Sequence, residues 1–101
     1  MKSIWKYLLE VTDAQTLVMP SGAEILAVQV QNGKPCLWAR VDPDAPKTDR
    51  TIITHGTGHA VPEETGEYIG TYQLAEGQLV FHAFEADDMP PNNQAHLRER
   101  A

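Results

Sequence analysis

The chain has 101 residues, 42% hydrophobic and 22% charged, with a formal net charge of −6. That is the size and make-up of one folded domain with a genuine core. The acidic balance argues against a general nucleic-acid binder or a protein drawn to anionic membranes, both of which need a basic face.

Cys36 is the sole cysteine. An intrachain disulfide is therefore ruled out, and the chain suits a reducing cytosol. No apolar run approaches the roughly 18 residues of a membrane helix. Lys6 and Glu10 interrupt the N-terminal segment, unlike the apolar stretch of a signal peptide. The expected location is the cytoplasm of a host cell.

Taken in chain order, the pattern has a period of two almost throughout, which predicts strands. Trp5, Tyr7, Leu9 and Val11 fall on one face of the first, opposite Lys6, Leu8 and Glu10. A turn is expected at Thr12–Ala14, then a short strand from Gln15 to Met19 that stops at Pro20, then a turn at Ser21-Gly22. The third strand spans Glu24–Gln31, with Leu26, Val28 and Val30 alternating against Ala27, Gln29 and Gln31. Asn32-Gly33 is a strong hairpin signal, and its partner strand runs from Cys36 to Val41, placing Leu37, Ala39 and Val41 opposite Cys36, Trp38 and Arg40.

A polar loop with two prolines fills Asp42–Asp49, because proline resists helix and central strand. Arg50–His55 follows as a strand with Ile52 and Ile53 on opposite faces, the pattern of a strand covered on both sides or used in self-association. Gly56-Thr57-Gly58-His59 ends it. Tyr68–Leu74 and Leu79–Glu85 form a second hairpin around Glu76-Gly77, with Val80, His82 and Phe84 opposite Leu79, Phe81 and Ala83. Beyond Glu85 the composition turns polar. Residues 1–86 are thus expected to form one all-β, mainly antiparallel domain, a small sandwich or rolled sheet of six or seven strands. Residues 87–101 are expected to be a polar tail, disordered or a short helix.

Seven short motifs occur in order: Ile4–Tyr7, Met19–Ala23, Gln29–Gly33, Leu37–Ala39, Gly56–His59, Tyr68–Thr71 and Val80–Glu85. Together, over roughly residues 3 to 86, they resemble a family of small phage and prophage proteins of unknown function. The resemblance implies a viral origin but supplies no catalytic residues.

The candidate site centres on His55, Gly56, Thr57, Gly58 and His59, because two glycines in three residues let backbone N–H groups converge on an anion. The bland alternative is a glycine bulge at a strand end. Neither a dinucleotide fingerprint nor a phosphate loop is present. Arg40 and Arg50 flank the proline loop and would grip a phosphate bidentately if their strands paired. Trp38 shares the phase of Arg40 and would offer a stacking surface. The alternative has Trp38 in the core and the arginines paired with Asp42, Asp44 or Asp49.

His55, His59 and His82 lack metal-ligand spacing. His82, in phase with Val80 and Phe84, is expected to be a hydrogen-bonded core histidine. Thr57, His59 and Asp42 supply the residue types of a triad without an arrangement, and Cys36 suits an inert thiol. No catalytic residue, metal or cofactor is therefore assigned. The first functional expectation is a non-catalytic, oligomeric binding module, a dimer or tetramer, for a small anionic ligand such as a nucleotide, as in a sponge for a host defence signal. The alternative is a structural or protein–protein interaction protein, with a metal-dependent hydrolase third.

Overall fold

A computed structural model describes residues 1–86 as a two-layer β-sandwich. Its strands are β1 (Ser3–Leu8), β2 (Ala14–Pro20), β3 (Glu24–Gln31), β4 (Lys34–Val41), β5 (Lys47–Gly56), β6 (Glu67–Leu74) and β7 (Leu79–Glu85). All pairings are antiparallel. One sheet has three strands in the order β1-β4-β3, the other four in the order β2-β5-β7-β6. The all-β expectation holds, as a sandwich of seven strands. The predicted polar tail lies outside the described residues. Among the described residues no helix is long and apolar enough to cross a membrane.

The core forms where the inner faces meet. Leu37, Ala39 and Val41 of β4 and Val28 of β3 pack toward Met19, Ile52, Tyr72 and Ala83 of the other sheet, with Trp5, Tyr7, Leu17, Ile25, Ile69, Leu74 and Phe81 around them. Leu37, Met19 and Ile52 are fully buried, and each such side chain contributes about 1.5–3 kcal/mol by leaving water. Gly70 lies opposite Ala83 on the inner face, and a Cβ on it would stand 2.8 Å from Val28 Cγ1. Its bare backbone lets β6 approach β3 across the sandwich.

Both predicted hairpins form. Asn32 and Gly33 have φ of 54° and 79° between the paired residues Gln31 and Lys34, as a two-residue type I′ turn requires. The second turn is a short 3₁₀ segment, Ala75–Gly77, whose three residues all have positive φ.

The differences are local. β1 stops at Leu8, so the predicted alternation through Val11 is cut: Leu9 is buried but Val11 is exposed in a bend. Ala14 is the first residue of β2 rather than part of a turn. β5 starts at Lys47, because Lys47, Thr48 and Asp49 pair with Pro20, Met19 and Val18, and the proline loop shrinks accordingly. A bulge between Ile25 and Ala27 turns Leu26 outward, so Leu26 and Val28 do not share a face.

Tyr7 Oη, Thr54 Oγ1 and Tyr72 Oη are buried and find no hydrogen-bond partner among the described residues. Burial raises the pKa of both phenols; the Arg50 charge opposes the rise at Tyr7, and the neighbouring Thr54 hydroxyl opposes it at Tyr72. Thr54 acts there as a nearby dipole, short of full hydrogen-bond geometry.

Candidate functional site

The richest cluster of polar and aromatic side chains lies on the outer face of the four-stranded sheet. His55 of β5 is in register with His82 of β7, which is in register with Thr71 of β6. With Ile52, Thr54 and Ala83 buried on the inner face, these three point outward. Tyr68 joins them because a bulge between Tyr68 and Gly70 inserts an extra residue, so that Tyr68 and Thr71, an odd number of residues apart, share a face.

Hydrogen bonds link the cluster. Tyr68 Oη lies 2.5 Å from Thr71 Oγ1, and Thr71 Oγ1 lies 2.9 Å from His82 Nδ1. His82 Nε2 lies 2.7 Å from Thr57 Oγ1. Beside this chain, Phe84 meets the rings of His55 and Tyr68 edge-on at 5.8 and 5.4 Å between centroids. His55 Nε2 is 3.0 Å from Thr65 Oγ1, which ties the far end of the 57–66 loop to the same face. Tyr68 is 56% exposed, leaving much of its side chain open to a partner.

The Gly56–His59 turn borders the cluster. The Thr57 N–H donates to Val80 O, extending the β5–β7 ladder, and the His59 N–H donates to Gly56 O. Gly58, at φ 89°, occupies the third position of that turn, where a type II turn needs positive φ. The His59 ring lies over Gly56: a Cβ there would stand 3.2 Å from Cε1 and Nδ1 of His59. Two of the turn's N–H groups are thus committed within the fold, leaving less of an anion nest than the glycine spacing suggests.

Of the residues singled out in the sequence, His55, Gly56, Thr57, Gly58 and His59 are together at this end of the four-stranded sheet. Arg40, Arg50 and Trp38 are elsewhere. Arg40 and Trp38 sit on the outer face of the three-stranded sheet, where Arg40 pairs with Glu24. Arg50 lies on β5 and forms a two-pronged pair with Glu85 while donating to Ala23 O. The two arginines do not converge, because β4 and β5 belong to different sheets. Their acidic partners are glutamates rather than the loop aspartates; Asp42 instead accepts a hydrogen bond from the Asp44 N–H.

His82 is hydrogen-bonded, as expected, but on the outer face and not in the core: the inward phase of β7 belongs to Phe81 and Ala83. Thr57 pairs with His82 rather than His59. Among the described residues no three His, Cys, Asp or Glu side chains are grouped to hold a metal ion. Tyr68, Thr71, Phe84 and Thr65 were not singled out in the sequence. Gly70 was the available signal, since glycine inside a strand marks a bulge.

Two other surfaces stand out. Ile4, Leu26, Ala27, Gln29 and Trp38 line a hollow of about 310 Å³ on the three-stranded sheet. Ser21, Gly22, Ala23, Thr48, Asp49, Arg50, Glu67 and Glu85 contribute to a polar cleft of about 460 Å³ at one end of the sandwich.

Residues 1–94 match a family described as a domain of unknown function, DUF7352, and the chain belongs to that family. No curated protein and no solved structure matches it.

Proposed function

We propose, with membership of a family of unknown function as the premise, that this domain is a non-catalytic binding module. Its working surface is the outer face of the four-stranded sheet around His55, Thr57, His59, Tyr68, Thr71, His82 and Phe84. The ligand it suits is small, with a planar ring and an anionic group, as in a nucleotide. Tyr68 and Phe84 offer ring surfaces, and His55 and His59 sit where polar or negative groups would fall. Arg40 and Arg50, held by Glu24 and Glu85, take no part. In the phage setting suggested by the ordered motifs, such a module would act by sequestering a signalling nucleotide.

The observation that carries this reading is the run of hydrogen bonds through Tyr68, Thr71, His82 and Thr57. It holds exposed side chains in one geometry, and a fixed polar array favours recognition because less ordering is needed on binding. A thermal-shift panel of mono-, di- and cyclic nucleotides tests it. A binder raises the melting temperature with concentration, and a flat response across the panel counts against the reading.

A second reading has its own support. Ile4, Leu8 and Leu26 are exposed around half-buried Trp38, and a contiguous apolar patch of this kind suits self-association. A dimer or tetramer built through that face would leave the four-stranded sheet open for ligand. Light scattering that shows a monomer at high concentration removes this second reading without touching the first.

A further inference from the structure

The hydrogen bonds on the four-stranded sheet can be followed as a chain of donors and acceptors. Thr57 Oγ1 stands 3.4 Å from Val80 O. A carbonyl oxygen only accepts, so the Thr57 hydroxyl proton points at Val80. With that proton committed, Thr57 Oγ1 is assigned as acceptor from His82 Nε2, which on this assignment carries the ring proton. His82 Nδ1 is left with a lone pair and accepts from the Thr71 hydroxyl. Thr71 Oγ1 in turn accepts from the Tyr68 hydroxyl. Each threonine hydroxyl donates once and accepts once, the neutral imidazole does the same, and the Tyr68 hydroxyl donates inward with its lone pairs left facing outward.

We infer that this chain is a relay that reverses when His82 takes up a proton, converting Tyr68 from an outward acceptor to an outward donor. The added proton comes from solvent and binds Nδ1. Nδ1–H now donates to Thr71 Oγ1, so the Thr71 hydroxyl proton swings to Tyr68 Oη. The Tyr68 proton is thereby turned out of the chain, toward solvent or ligand. The link from Nε2 to Thr57 is unchanged. No covalent bond other than N–H forms.

Of the groups that face His82, His55 and Tyr68 are titratable, and the NMR test reads His82 itself. His55 lies opposite it on β5, Thr71 and Tyr68 stand on β6, Thr57 lies at the end of β5, and Val80 and Phe84 flank it on β7. The salt bridges of the described residues involve Arg40 with Glu24 and Arg50 with Glu85, none of which belongs to this cluster. The consequence for binding rests on the reading of this face as the ligand surface. An anionic or acceptor group gains both a positive charge and an outward-pointing phenol proton when His82 is charged. Capture of such a ligand is then strongest when His82 is protonated.

Nitrogen-15 NMR of the imidazole rings in the free protein tests the relay without any ligand. The expected result on the alkaline side is a proton on Nε2 and a bare, hydrogen-bond-accepting Nδ1 at His82, with that preference weakened in Thr71→Val. A proton on Nδ1, or a Thr71→Val spectrum indistinguishable from wild type, overturns it. The Nδ1–H form would make Thr57 a donor to Nε2, which is the arrangement of a nucleophile and its base, so the same spectrum separates the relay from a hydrolase. Tyr68→Phe is the second variant. It keeps the tautomer and the imidazole charge but removes the phenol proton. The acid preference in binding of a nucleoside monophosphate, compared at about pH 6 and about pH 8, is therefore expected to be smaller than in wild type, and an unchanged preference counts against the relay. If the tautomer is as expected and no nucleotide binds at either pH, the relay stands and the binding reading falls.

Discussion

On the three-stranded sheet the outward side chains Ile4, Leu8, Leu26 and Trp38 are apolar, with the Arg40–Glu24 pair and the Lys6–Gln31 hydrogen bond beside them. On the four-stranded sheet the outward side chains Thr57, Tyr68, Thr71 and His82 are joined to one another by hydrogen bonds. Both faces come from strands of similar length and share one core. An apolar face is non-directional: it gains by being covered and is indifferent to small rotations of the partner. A hydrogen-bonded array is directional and sets its own geometry before anything arrives. The first kind of face suits a partner surface, the second a ligand with defined donors and acceptors.

The largest expected effects come from residues that hold the two faces together. Leu37→Ala removes a fully buried side chain between the sheets and should cost about 2–5 kcal/mol, lowering the denaturant midpoint and disturbing both faces. Gly70→Ala would press a methyl against Val28 at the bulge that aligns Tyr68 with Thr71. A cost of about 1–3 kcal/mol is expected, with NMR changes at His82 that Leu37→Ala need not reproduce in pattern.

The two arginines give the next test. Arg50 and Glu85 are 18% and 21% exposed, whereas Arg40 and Glu24 are 51% and 55% exposed. Arg50→Met should cost about 2–4 kcal/mol, because it strands a partly buried carboxylate. Arg40→Met should cost under about 1 kcal/mol. Equal losses in urea denaturation would contradict the assignment of Arg50 to the sandwich end and Arg40 to an open face.

Smaller effects separate the faces themselves. Leu26→Asp should change stability by no more than about 0.5 kcal/mol, since the bulge points Leu26 to solvent. It should abolish any self-association through the Trp38 face, as read by light scattering, and leave nucleotide binding intact. Thr71→Val should do the reverse.

Alkali tests the interior between the faces. Tyr7 and Tyr72 have pKa values raised by burial, so the unfolded chain releases these protons first as pH climbs past about 10. Their contribution is fully present below that value and is lost as pH rises through their folded pKa values. Unfolding should therefore coincide with tyrosinate absorbance from both residues.

Much of the fold was legible. The Asn32-Gly33 turn and the alternation of Leu37, Ala39 and Val41 place the β3–β4 hairpin and the inward face of β4, because turn chemistry and side-chain phase act over neighbouring residues. The bulges at Ile25–Ala27 and Tyr68–Gly70 were not legible from alternation. One extra residue inverts the phase of everything after it, and only the tertiary fold decides where it falls. The same limit governed the site. His82 and Phe84 visibly share a phase, but sequence does not say which phase is inward. Arg40 and Arg50 are close in sequence yet lie in different sheets, because the chain crosses the sandwich between β4 and β5. The Gly56–His59 turn was found from its glycines; its partners on β6 and β7 became visible only through register.

Chemical-shift mapping with the nucleotide panel tests the binding face most directly. The account predicts that a bound nucleotide perturbs Thr57, His59, Tyr68, Thr71, His82 and Phe84, leaving Trp38 and Arg50 unmoved. Perturbations centred on Trp38 or on the Arg50 cleft, or none at saturating concentrations of every nucleotide, would contradict it.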